Sequence, residues 1–172
     1  AGLIAAGHAA RAAAALKPHV EAGAGFSGGR ANPTTADVAR CLAVAREAAA
    51  AVTVGDPNGD VAMGPVVSKA QFNSIQEYIQ KGIEEGATLV AGGPGRPDGC
   101  AKGFYVKPTV FANVTNDMVV AREEIFGPVL VIIGYDNVDH AIEIANDSDF
   151  GLAGNVAGAD LEKARAVARR IR

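Results

Sequence analysis

Val129-Leu130-Val131-Ile132-Ile133 is a run of apolar residues with no polar member on either alternating face. Such a strand has to be buried on both sides, as in a parallel sheet covered by helices. The run is far too short to cross a bilayer. The rest of the chain supplies covering helices. Phe72, Ile75, Ile79 and Ile83 recur at helical spacing and predict a buried stripe on a helix from about Lys69 to Glu85. Ser68 and Gln71 make a capping box at its start, and Gly86 suits the C′ position at its end. Val38, Leu42, Ala45, Ala49 and Val52 predict a second amphipathic helix over 35–52, with Thr34 or Thr35 as cap. Further helices are expected at about 138–146, behind Asp136 or Asn137, and after Asp160. The stripe of the last one is Leu161, Ala164, Val167, Ala168 and Ile171. Short strands are expected at Thr88-Leu89-Val90, Phe104-Tyr105-Val106, Thr109-Val110-Phe111 and from Leu152 to Val156. Strands alternating with helices argue for an α/β layered fold.

Composition narrows the function classes. Net charge is −3, so nothing attracts nucleic acid or an anionic membrane surface. Apolar residues at 49% against 20% charged predict a soluble globular chain. No basic segment followed by a leucine-rich stretch marks a signal peptide. The two cysteines, Cys41 and Cys100, form no CxxC, and the three histidines are scattered, which excludes a disulfide framework or a metal site. A reducing cytoplasm is the expected setting.

The first 34 residues read differently from the rest. Residues 9–16 are nearly all alanine, a strong helix former, and Pro18 stops that helix. Gly2 and Gly7 precede it with no strand ahead of them. Glycines at 23, 25, 28 and 29 make 17–34 a loop or junction. No stop signal follows the last helix before Arg172. Both ends are therefore expected to lie inside structural units.

From residue 54 onward the motifs resemble one family. They are Val54-Gly55-Asp56-Pro57, Met63-Gly64-Pro65-Val66-Val67-Ser68, Glu85-Gly86-Ala87, Gly92-Gly93 and Gly103-Phe104-Tyr105-Val106-Lys107-Pro108-Thr109-Val110. Asn146-Asp147-Ser148-Asp149-Phe150-Gly151-Leu152 belongs with them, and the most specific is Glu123-Glu124-Ile125-Phe126-Gly127-Pro128-Val129. In this order and at this spacing they resemble the NAD(P)-dependent aldehyde dehydrogenases. Leu16-Lys17-Pro18 with Val20-Glu21-Ala22-Gly23 resembles an earlier, more degenerate part of the same family. The resemblance implies the layered αβα fold of that family's catalytic domain, truncated at both ends. Residues 1–16 would be a remnant of the dinucleotide-binding domain, 17–34 a junction carrying an internal deletion, and 35–172 a partial catalytic domain.

The resemblance also implies a chemistry. A cysteine thiolate attacks an aldehyde, the adduct gives hydride to NAD or NADP, and water activated by a glutamate hydrolyses the thioester. Glu21 matches the general base, against an ordinary solvated glutamate. Glu124 matches the carboxylate that accepts hydrogen bonds from the nicotinamide ribose, and Phe126 the aromatic beside the nicotinamide. Gln71 matches a ribose-side contact, although the capping box explains it equally well. Gly2 and Gly7 match glycines of the pyrophosphate turn, where Leu3 stands in the place of a serine. The loop that should carry the nucleophilic cysteine is absent. Cys41 sits on an apolar helix stripe and Cys100 in a loop, so neither matches it. Two readings follow. The chain is an aldehyde dehydrogenase family member, acting on a small-molecule aldehyde and usually homo-oligomeric by family, but inactive in this form. Alternatively it is a non-catalytic remnant serving as a binding or assembly module.

Overall fold

The computed structural model describes residues 35–158 and 160–172. Eight elements follow in chain order: helices α1 (Thr35–Ala50) and α2 (Lys69–Glu84), strands β1 (Thr88–Ala91) and β2 (Thr109–Ala112), helix α3 (Val119–Arg122), strand β3 (Val129–Val131), and helices α4 (Val138–Asn146) and α5 (Leu161–Ala168). The expected helix over 9–16 lies outside the described residues.

The strands form one sheet in the order β1-β2-β3. β2 pairs antiparallel with β1, Thr88 facing Ala112 and Leu89 facing Phe111, with an irregularity between Leu89 and Ala91. It pairs parallel with β3, Thr109 facing Val129 and Phe111 facing Val131. The sheet is thus mixed, and the branched run at 129–133 supplies its parallel member. All four residues of β2 are buried.

Side-chain alternation along the strands separates two cores. Phe111, Val129, Val131 and Ile133 pack with Phe72, Ile75 and Ile79 of α2. Val90, Val110, Ala112 and Ile132 pack with Ala45, Cys41, Leu42 and Ala49 of α1. The sheet therefore lies between α1 and α2, which is the αβα layering expected from the sequence. Phe111, Ile75 and Ile79 are fully enclosed. Burying each such side chain stabilises the fold by about 1.5–3 kcal/mol.

α2 follows the sequence closely at its ends. Ser68 caps it by accepting a hydrogen bond from the Gln71 N–H at 3.1 Å. Gly86, at φ 94°, ends it. The Gly86 and Ala87 amides turn back to the carbonyls of Ile83 and Gly82, closing the last turn in a Schellman pattern. Its buried stripe is different from the expected one. Gly82 faces inward and Ile83 is exposed. The Phe111 ring and Val120 occupy the space over Gly82 so tightly that a Cβ there would lie 2.9 Å from Val120 Cγ1. Only a residue without a side chain fits, so the helix turns its glycine to the core and Ile83 away.

Other expectations are corrected as well. Phe104-Tyr105-Val106 is irregular backbone, not a strand. Val106 is buried, but among the described residues the only ladder-like bond here is the Val66 amide to the Phe104 carbonyl. Leu152 to Val156 also forms no strand, because no described strand lies beside it, and Leu152 is 99% exposed. α5 is capped by Asp160, as expected, yet buries no residue, and Leu161 of its stripe is exposed. α4 begins behind Asn137, whose side chain accepts from the His140 N–H. The short α3 is unanticipated. Its first amide, on Val119, donates to Glu85 Oε2 at 2.8 Å, which ties it to the end of α2.

Candidate functional site

Residues 123–128 leave α3 and enter β3 along the first turns of α2. The path is fixed at four places. The Glu123 amide donates to the Val119 carbonyl. Ile125 is buried in the α2-side core. Gly127 lies against Ile75, where a Cβ would come within 2.6 Å of Cδ1. The Pro128 carbonyl accepts from the Thr109 N–H at 2.8 Å, delivering the chain into β3 beside β2.

Between these anchors Phe126 takes φ 53°, in the left-handed region. For a bulky L-residue that conformation costs roughly 1–2 kcal/mol, and such costs persist where surrounding structure enforces them. Here the enforcement is visible. Gln71 Nε2 donates to the Ile125 carbonyl at 3.1 Å and to the Phe126 carbonyl at 3.0 Å. The capping box expected from the sequence is therefore half formed. Ser68 caps the Gln71 amide, but the Gln71 side chain goes to the loop rather than back to Ser68. At Phe72, the next residue of α2, the Arg96 guanidinium lies over the ring, 4.7 Å from its centroid.

What the loop presents is an exposed carboxylate and a half-exposed ring. Glu124 is exposed, and among the described residues no hydrogen bond or ion pair engages its carboxylate. Phe126 is 57% exposed. A carboxylate can accept two hydroxyl donors at once, and a ring beside it offers a flat apolar face. Among the described residues no group of three or more acidic, histidine or cysteine side chains could hold a metal ion.

The structure thus brings Gln71, Glu124 and Phe126 to one place. Gly2, Gly7 and Glu21 lie outside the described residues. Cys41 lies on α1, packed into the second core on the opposite side of the sheet from α2. Burial pushes its thiol up from the ordinary value, which lowers the thiolate fraction a nucleophile needs. Cys100 is partly buried, with Sγ 3.7 Å from the Val54 carbonyl. Gly127 and Glu85 were not singled out from the sequence. Both stand inside motifs of the resemblance, but their partners are 52 and 34 positions away, so local pattern did not show what they touch.

Comparison with known proteins agrees with the motifs. Residues 36–172 match the model of the aldehyde dehydrogenase family. The chain is 53% identical over 131 residues to a Staphylococcus epidermidis protein named for that family, a match covering 76% of this chain and 28% of the relative. It therefore spans about 28% of the length of the curated relatives it matches. Among solved structures, it is similar to a cysteine-to-alanine variant of aldehyde dehydrogenase C from Pseudomonas syringae in complex with NAD+ and octanal. That match has a TM-score of 0.80 at 45% identity and covers 95% of this chain and 35% of that one. An aldehyde dehydrogenase of Mycobacterium tuberculosis complexed with NAD+ gives a TM-score of 0.78 at 44% identity, covering 93% and 34%. The motifs, the layered fold and these matches together show that the chain belongs to the aldehyde dehydrogenase family.

Proposed function

We propose that residues 123–128, seated on the start of α2, form the nicotinamide-ribose side of an NAD(P)-dependent aldehyde dehydrogenase site, and that this chain alone does not oxidise aldehydes. The observation that carries the first part is Phe126, held in a left-handed conformation by Gln71 with its ring half exposed. Backbone strain of this kind is concentrated where a side chain must be presented to a ligand. In this reading Glu124 receives the two ribose hydroxyls and Phe126 lies beside the nicotinamide. When bound, the nicotinamide serves as the two-electron acceptor for a small-molecule aldehyde. Complexes of two similar proteins with NAD+ support the assignment.

The second part rests on the thiols. The sequence holds two cysteines. One is a helix side chain in the opposite core, with its thiol pushed up by burial, and the other stands beside the Val54 carbonyl in a glycine-rich loop. Attack on a carbonyl requires an exposed thiol with thiolate character, whereas Cys41 is raised by burial and Cys100 is partly buried. A non-catalytic assembly role draws on one further observation, the exposed apolar side chains of Phe150, Leu152 and Leu161.

Reduced-cofactor formation with NAD or NADP and a panel of aldehydes tests the proposal. No turnover above background is expected. Turnover abolished by alkylating Cys41 or Cys100 would overturn it. Sedimentation of the same sample addresses assembly, and a monomer at every concentration would remove that role.

A further inference from the structure

Gln71 has an amide nitrogen with two hydrogens, and both are engaged. One goes to the Ile125 carbonyl at 3.1 Å and the other to the Phe126 carbonyl at 3.0 Å. An amide nitrogen has no lone pair to offer and no third hydrogen. Its Nε2 is therefore fully used inside the protein, and only Oε1 remains, as an acceptor. The two carbonyls lie on either side of the Phe126 peptide units, and Phe126 is one of two described residues other than glycine with a positive φ. The donor pair thus brackets the strained residue.

We infer that Gln71 is a positioning residue, a clamp that holds the 125–126 backbone in the turn that presents the Phe126 ring. The inference deepens the nicotinamide-seat reading and rests on it for the purpose of the clamp, though not for its geometry. Three features make the clamp specific. Gln71 stands in the first turn of α2, where Ser68 fixes its backbone amide. That helix is anchored through Phe72 and Ile75 in the core, so the amide projects from a rigid support. Gly127 packs against Ile75 of the same helix and sets the height at which the loop crosses it. A hydrogen-bond donor at position 71 is therefore needed for the loop's conformation whether or not a ligand is present.

The test labels the whole chain with fluorophenylalanine and follows the Phe126 resonance by 19F spectroscopy, assigned with Phe126→Leu. Gln71→Glu keeps the size of the side chain but replaces both hydrogens with acceptors. The Phe126 line is expected to move toward the position of the free amino acid, while the Phe72 and Phe111 lines stay in place. Gln71→Lys, which restores a donor, is expected to return the line toward its original position. In urea, Gln71→Glu should lower the unfolding midpoint, and by less than half as much when Phe126→Gly has already relieved the left-handed strain. An unmoved Phe126 line in Gln71→Glu would overturn the clamp. If every line collapses in Gln71→Glu, Gln71→Ala provides the same comparison without an added charge. General collapse in that variant too would also overturn the proposal, since a local clamp leaves the core lines intact. Titration of the same samples with nicotinamide mononucleotide separates the two ideas. A displaced ring with unchanged mononucleotide binding upholds the clamp and removes the nicotinamide seat.

Discussion

Replacing Gly127 by alanine should separate the seat of the loop from the loop's own conformation. The new Cβ would stand 2.6 Å from Ile75 Cδ1, 2.7 Å from its Cγ1 and 3.3 Å from its Cγ2. Ile75 is fully enclosed, so its side chain has no free space to swing into. Overpacking of this kind costs about 1–3 kcal/mol. Gly127 is outside the left-handed region, so alanine is conformationally allowed there, and its smaller unfolded-state entropy returns about 0.4–1 kcal/mol. The net loss expected is about 1–2 kcal/mol. With a urea slope near 2 kcal/mol/M, the midpoint falls by roughly 0.5–1 M. Ile75→Ala alone opens a cavity and costs about 2–5 kcal/mol. In the double variant the alanine methyl at 127 enters that cavity, so the combined loss should fall short of the sum by about 1 kcal/mol or more. Urea unfolding of the four proteins completes the cycle. Additivity to within about 0.5 kcal/mol would refute direct seating of the loop on Ile75.

Two further outcomes follow from the thiols and from α5. Alkylation at mildly alkaline pH should modify Cys100 before Cys41, because burial raises the Cys41 thiol and only the thiolate reacts; mass mapping that finds Cys41 modified first would contradict its place in the core. The Asp160 carboxyl is held below its usual range, chiefly by the Lys163 backbone N–H. A depressed folded value means that its cap stabilises α5 above the unfolded carboxylate range and is lost as pH falls through the folded value. Helical chemical shifts over 161–168 should fade with acidification, and Asp160→Asn should flatten that dependence; shifts that ignore pH would refute the cap.

Much of this architecture could be read from local pattern. The branched run at 129–133 announced a strand covered on both faces. Ser68, Gly86, Asp160 and the choice of Asp136 or Asn137 marked helix ends whose caps depend only on nearby backbone, with Asn137 the one used. Ile83 is exposed where its spacing predicts burial, because Phe111 and Val120, remote in sequence, favour Gly82 on the inner face. Leu152 to Val156 carries strand composition, but a strand exists only where a neighbour offers a ladder. At the site, positions 71, 124 and 126 were named through the family resemblance. The bond from the Gln71 side chain to residues 54 and 55 positions away was not legible, because a capping box accounted for the same glutamine from local sequence alone.

Phe126 also bears on how such a chain can change over time. Glycine would relax its backbone at once and make folding easier, but it would erase the ring. Any aromatic keeps the ring and keeps the tension. If the ring meets a ligand as proposed, selection for foldability and selection for ligand contact pull this codon in opposite directions. A lineage released from catalysis should let glycine or asparagine drift into the position, so its occupant records whether the ring is still in use.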